Sequence, residues 1–230
     1  MAKNFIDVII ILDKSGSMQE LTDDTIGGYN SLIQKQKDEN KDMNVFVSTY
    51  LFNDRVSTIC DAQAITKVEP LTRKNYFASG STALYDAIGY AITREDERVV
   101  KLARSKKPLP QKTLIVVTTD GYENASIKYR YEEIRKLIGQ KKEEGVSFLF
   151  IGANIDSDTF AEQIGIGSDY AFTVQNNSLG VRNMMDGIQA SMVMCCKYED
   201  REITIKKNKI NEKDYDKTVE QASMILDGNI

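Results

Sequence analysis

At 230 residues, with 41% apolar and 28% charged side chains, the chain has the make-up of a folded globular protein with one sizeable core. A net charge of −4 and a pI near 5.1 give no electrostatic footprint for nucleic acid. The absence of histidine excludes Ser-His-Asp and Cys-His catalysis in their usual form, and every His-ligated zinc site.

The opening "MAKNFIDVIIILD" holds an apolar run that Asp7 interrupts. It is too short to span a membrane, and no small-residue cleavage site follows it. Its β-branched content predicts a strand over 7–12, buried on both faces. Cys60, Cys195 and Cys196 lack the paired spacing of a disulfide framework. The expectation is a cytoplasmic protein without a membrane partner.

Met18, Leu21, Ile26, Tyr29, Leu32 and Ile33 form an apolar stripe that predicts a helix over 18–38, with Gly27–Gly28 as a point of bending. Runs at 44–52 and 55–60 read as a hairpin divided by Asn53–Asp54. In "ASGSTALYDAIGYAITRE" a helix begins near Thr82, with Leu84, Ile88, Ala91 and Ile92 on one side. "KTLIVVTTDG" (112–121) is a second buried strand. Residues 129–144 are helical through Tyr131, Ile134, Leu137 and Ile138, and Gly145 supplies the stop.

A buried strand (146–154), a short helix (158–164) and a short strand (170–174) come next. The helix predicted over 179–197 places Val181, Met185, Ile188, Met192 and Cys195 on a core-facing stripe, so Cys195 is expected to be buried and inert. A redox or soft-metal role for the vicinal Cys195–Cys196 pair is the alternative. Residues 198–230 turn rich in lysine, aspartate and glutamate, with a strand at "EITI" and a helix near 212–226 carrying Tyr215, Val219, Ala222 and Leu226 on one face. The division expected is a domain over 1–197 and a charged extension over 198–230. Strand and helix alternation implies a doubly wound α/β fold: a mostly parallel sheet, one antiparallel edge strand, and helices on both faces.

In such a sheet, ligands sit beyond the carboxyl ends of the strands, where strand order reverses. If the strands ending at Asp13 and before Asp120 are neighbours, their carboxylates share one crevice, and the helix after Ser81–Thr82 starts at the same edge. The candidate set is Asp13, Ser15, Ser17, Thr82 and Asp120. All five offer hard oxygens, three of them neutral hydroxyls, a set that suits Mg²⁺, with Mn²⁺ or Ca²⁺ as alternatives, and does not suit zinc or copper. Such an ion stays electrophilic and can accept an outside carboxylate. Each piece also has an ordinary reading: Ser17-x-x-Glu20 as a capping box, Thr82 as an N-cap, Asp120–Gly121 as a turn. Capping and metal ligation are compatible, and both stay open at this stage.

Asp13-Lys14-Ser15-Gly16-Ser17 resembles the D-x-S-x-S signature of von Willebrand factor type A domains, with Thr82 in "GSTALYDAI" and Asp120 in "TTDG" at the family's threonine and second aspartate positions. The resemblance covers roughly residues 4–197. The stretches "TIGGYNSLIQKQK", "TTDGYENAS" and "FIGANID" look like the stand-alone intracellular members of bacteria and phages. It implies a Rossmann-like fold, a metal-ion-dependent adhesion site holding Mg²⁺, and recognition of a partner protein through an Asp or Glu.

Loops at the same edge supply a candidate partner-binding rim: Asn53, Asp54, Tyr122, Glu123, Asn124 and Asp156. Tyr122 is singled out because an exposed aromatic beside a metal can anchor a partner. Asp86 is a candidate for supporting the site through a hydrogen bond. The function expected is therefore a non-enzymatic, metal-dependent protein-binding module. The alternatives are a Mg²⁺-dependent phosphatase-like enzyme and a structural subunit whose metal only rigidifies loops. The phosphatase reading asks for a second acid two residues after Asp13, where Ser15 stands. No G-x-G-x-x-G or Walker lysine follows the first strand either.

Overall fold

The computed structural model describes residues 5–39 and 44–197. Strands β1 (Phe5–Asp13), β2 (Asn44–Phe52), β3 (Val56–Ala64), β4 (Lys112–Thr119), β5 (Val146–Ala153) and β6 (Ala171–Val174) form one sheet in the order β3-β2-β1-β4-β5-β6. Every pairing is parallel except β2 with β3. Helices α1 (Thr22–Glu39), α2 (Leu84–Arg104), α3 (Tyr131–Glu143), α4 (Ser157–Gln163) and α5 (Ser178–Lys197) cover both faces. This is the doubly wound architecture with an antiparallel edge strand that the alternation predicts.

Period-two geometry splits β1 between two cores. Ile6, Val8, Ile10 and Leu12 pack under α1 and α5, whereas Ile9 and Ile11 pack under α2, α3 and α4. A strand covered on both faces needs an uninterrupted apolar run, and each isoleucine so buried stabilises the fold by about 1.5–3 kcal/mol relative to exposure. Asp7 breaks the run because its carboxylate pairs with Arg98 of α2. The Arg98 guanidinium lies over the rings of Phe46 and Phe5, 5.1 and 5.3 Å from their centroids. Burial outweighs that attraction and pushes Asp7 up to about 6. Lys141 of α3, also buried, reaches Glu95 of α2 at 2.7 Å and Glu144 at 2.6 Å, and pairs as well with Asp96.

Three local differences from expectation have physical causes. The stretch after β1 starts as a 3-10 turn (Gly16–Leu21), and α1 begins only at Thr22. Helix α1 then runs unbroken through Gly27–Gly28. Gly28 serves packing, since a Cβ there would lie 2.9 Å from Met185 Cγ of α5. Strand β3 continues to Ala64 past a bulge, with Ala62 at φ 51° and its amide donating to Ser48 Oγ at 2.8 Å.

The stripe of α5 is buried as its spacing predicts, and burial pushes the Cys195 thiol up to about 11, out of reach of ordinary thiolate chemistry. The Cys196 side chain, the strand expected at "EITI" and the helix expected near 212–226 lie outside the described residues. Among the described residues no helix is long and apolar enough to cross a membrane.

Candidate metal centre

Strands β1 and β4 are parallel neighbours paired from Ile6↔Lys112 to Leu12↔Thr118, so both chains leave the sheet at one edge. There Thr119 Oγ1 donates to Asp13 Oδ2 at 2.6 Å, and the Ser15 amide donates to Asp13 Oδ1 at 2.6 Å. The turn after Asp13 is fixed from a third side. Tyr76 Oη donates to the Asp13 carbonyl at 2.7 Å, the Ser79 amide to the Lys14 carbonyl at 2.9 Å, and the Gly16 amide to the Gly80 carbonyl at 2.9 Å. Gly80 has φ +78°, and a Cβ there would fall 2.0 Å from Asp54 Oδ2, so this crossing demands glycine.

The two serines do not cap. Ser15 occupies the N-cap position of the 3-10 turn without a side-chain capping bond. Ser17 Oγ donates to Asp120 Oδ1 at 2.6 Å, and the Ser15 and Ser17 hydroxyls lie 3.1 Å apart. Ser15 Oγ is also 3.5 Å from Asp120 Oδ1, at the limit of a hydrogen bond. The capping-box reading of Ser17-x-x-Glu20 is therefore corrected, because the serine hydroxyl is drawn across to a carboxylate instead.

Thr82 is likewise not an N-cap. Ala83 holds that position, and the first amides of α2 are taken by the loop after β4: Tyr85 N donates to Glu123 Oε2 at 2.8 Å and Asp86 N to Ser126 Oγ at 3.0 Å. The Thr82 amide donates to Asn124 Oδ1 at 2.8 Å, while its carbonyl accepts from Asn124 N at 3.0 Å. These bonds leave the Thr82 hydroxyl beside Gly121, 3.7 Å from where a Cβ of that residue would stand.

Asp13 is 1% exposed and Asp120 5%. Burial pushes Asp13 up to about 6, against the pull of Thr119 and Ser15, with repulsion from Asp120 adding to the rise. Asp120 is also raised by burial, which the Ser17 bond opposes. Asp120 Oδ2 is buried without a hydrogen-bond partner. Two buried carboxylates side by side, one with an unpartnered oxygen, two serine hydroxyls at Asp120 and the Thr82 hydroxyl beside Gly121 are a donor set that fits a hard divalent cation. No group of three or more Cys, Asp and Glu side chains among the described residues is placed to hold a metal, so a cation here would have to draw on hydroxyls beside the two carboxylates. A cavity of about 20 Å³ lies beneath, lined in part by Asp13, Thr119, Asp120 and Asn176. A larger groove of about 600 Å³ between α1 and α5 contains none of the five residues.

The rim residues are mostly engaged in holding the edge together. Asn53 Nδ2 donates to the Ser79 carbonyl at 2.7 Å, and Asp54 Oδ1 accepts from Ser81 N at 3.0 Å. Glu123 accepts from Tyr85 N, Ala125 N, Ser126 N and Ser126 Oγ, all at 2.7–2.8 Å. Asn124 positions Thr82, and Asp156 caps α4 by accepting from Thr159 N at 3.1 Å. Tyr122 is 53% exposed, with its hydroxyl accepting from Asp156 N at 3.2 Å. Asp86 does not support the five residues directly: its carboxylate accepts from the amides of Ile127, Lys128 and Tyr129 at 2.9–3.1 Å. Sequence reasoning missed Thr119 and Tyr76, which hold Asp13, and the capping role of Glu123. The doubled threonine before Asp120 was the available signal for the first.

The von Willebrand factor type A domain family model matches residues 7–186. No curated protein matches the sequence. The fold resembles proximal thread matrix protein 1 from the mussel byssus, solved with a zinc-occupied MIDAS motif, at TM-score 0.53 and 16% identity over 84% of this chain and 46% of that one. It also resembles the pilus adhesin SpaC from Lactobacillus rhamnosus GG in its open conformation, at TM-score 0.63 and 10% identity over 84% of this chain and 30% of that one. A third similar structure is the vWF domain of the type V pili tip protein Mfa5 from Porphyromonas gingivalis, at TM-score 0.58 and 8% identity over 88% and 99% of the two chains. The chain thus spans about half the length of the mussel protein.

Proposed function

Because this chain belongs to the von Willebrand factor type A domain family, we propose that it is a non-enzymatic binding module. In this reading Asp13, Ser15, Ser17, Thr82 and Asp120 hold one divalent cation, Mg²⁺ in the first instance, for an aspartate or glutamate of a partner protein. When bound, the cation supplies an electrophilic centre that an outside carboxylate can complete. The observation that carries this reading is the 2.6 Å bond from Ser17 Oγ to Asp120 Oδ1, which joins two loops 103 residues apart and takes the serine away from capping.

The chain's own work is orientation. Thr119 and the Ser15 amide each fix one oxygen of Asp13, Tyr76 fixes its carbonyl, and the Asn124 contacts bring Thr82 to the same edge. Ser15, standing where a phosphatase of this sheet type needs a second acid, faces Ser17 and Asp120. Neighbours described as pilus adhesins favour binding over turnover. Cytoplasmic residence is part of the proposal and suits the buried free thiols of Cys60 and Cys195.

Affinity purification with the wild type and Asp13→Ala, each in Mg²⁺ and in chelator, tests the reading. Partners are expected only with the wild type in Mg²⁺. A partner retained by Asp13→Ala in chelator would show that metal does not mediate the contact.

A further inference from the structure

Two large aromatic side chains stand in solvent at the edge that carries the candidate metal centre: Phe77, 68% exposed, and Tyr122, 53% exposed. Phe77 follows Tyr76, which is fully buried and bonded to the Asp13 carbonyl, and precedes Ser79, bonded to Lys14 and to Asn53. The contacts that shape the Asp13 turn therefore fix the backbone on both sides of Phe77, on the flank where β1 meets β2. Tyr122 is fixed on the other flank, where β4 meets β5. Its hydroxyl accepts from Asp156 N after β5, and its ring sits edge-on to Phe160 of α4 at 6.2 Å.

An exposed phenylalanine on a pinned backbone gains no burial in the folded chain, and a partner that covers it would gain that burial with little further ordering of the backbone. The occupant would also have to reach a cation held by Asp13 and Asp120, at the carboxyl ends of β1 and β4, the two strands between these flanks. Neighbouring strands lie about 4.8 Å apart, so the two flanks are separated by roughly 10 Å before the side chains extend outward. In an extended peptide, residues two before and two after a central one point the same way and lie about 13 Å apart.

We propose that the partner's acidic residue sits in an extended segment of the pattern apolar-x-acid-x-apolar, with Phe77 and Tyr122 each covered by one apolar side chain. The proposal rests on the metal-binding reading above and names the class of segment that this site selects. The carboxylate fixes orientation at the cation, and the flanking side chains supply area, because Phe77 and Tyr122 are the large exposed aromatics on the two flanks; the other exposed rim residues, Asp54, Asn124 and Asp156, are polar.

The test uses the full chain against displayed peptides with a fixed central aspartate and randomised flanks, selected in Mg²⁺. Binding of Mn²⁺ to the chain alone, measured by calorimetry, is the separate check on the metal. The expected result is enrichment of apolar residues two positions either side of the aspartate. Phe77→Ala and Tyr122→Ala should each weaken a selected peptide roughly ten-fold, with Mn²⁺ affinity unchanged. Leu109→Ala, an exposed apolar control in the loop leading into β4, should leave peptide affinity unchanged. If Mn²⁺ binds but the selected flanks are polar, basic or random, or nothing is selected, this proposal is overturned while the metal reading stands. If Mn²⁺ does not bind, the metal reading fails and this one falls with it.

Discussion

Ser17 and Asp120, 103 positions apart in sequence, are joined by a hydroxyl-to-carboxylate hydrogen bond of 2.6 Å at the carboxyl edge of the sheet. The bond gives the serine a role that its position in a helix-start pattern conceals. It also aligns a neutral oxygen with a carboxylate whose second oxygen is buried and unpartnered.

Ser17→Ala should therefore separate two effects. A hydrogen bond to a carboxylate contributes about 1.5–3 kcal/mol, less where the donor is open to water as Ser17 is, so the metal-free variant should lose on the order of 1 kcal/mol in urea denaturation. Its Mg²⁺ affinity should fall by about ten-fold or more in calorimetric titration, because a donor to the cation is lost as well. Unchanged affinity would remove Ser17 from the set.

The pH dependence follows from Asp13. Burial raises its value from 3.8 to about 6 in the folded chain. In the metal-free protein its contribution to stability is full below 3.8 and is lost as pH rises through about 6. Cation binding needs the ionised carboxylate and runs the opposite way. The rise in Tm given by excess Mg²⁺ should be largest above about pH 7 and shrink as pH falls through about 6 towards 5. Thermal melts with and without Mg²⁺ across that window measure it, and a Mg²⁺ effect flat with pH would contradict the assignment.

Glu123 caps α2 from another loop. Glu123→Ala removes the acceptor for Tyr85 N, Ala125 N and both Ser126 donors. A loss of about 2 kcal/mol is expected in urea denaturation, the upper range for a helix cap, with weaker Mg²⁺ binding because the 123–124 segment also positions Thr82. A loss no larger than that of an exposed surface glutamate would refute the capping role.

Two helix glycines should respond with opposite sign. Gly27 is exposed and has nothing within 4 Å of a would-be Cβ, so Gly27→Ala should stabilise by about 0.5–1 kcal/mol through helix propensity alone. At Gly89 of α2 a Cβ would meet the Tyr129 ring at 2.4 Å, so Gly89→Ala should destabilise by about 1–3 kcal/mol despite the same propensity gain. Comparing Tm values of the two variants checks both.

The elements and their order were legible because buried parallel strands and amphipathic helices leave strong periodic signals. "DVIIIL" and "TLIVVTT" can be little else than strands covered on both faces. Boundaries slipped where long-range contacts override local preference: Tyr76 and Gly80 brace a 3-10 turn where the sequence continues a helix stripe, and Ser48 stabilises the bulge that lengthens β3.

The candidate site divides along the same line. The residue types at positions 13, 15, 17, 82 and 120 state the chemistry, hard oxygens of both charge states, and the sequence by itself determined that much. It could not choose between helix caps and a metal site, because a serine at a helix start satisfies either pattern locally. Tertiary structure decided against the caps: β1 beside β4 brings Asp120 within reach of Ser17, and the Glu123 loop caps α2 so that Thr82 need not. Capping is a competition for backbone amides, and a partner far away in sequence can win it only once the sheet has brought it near.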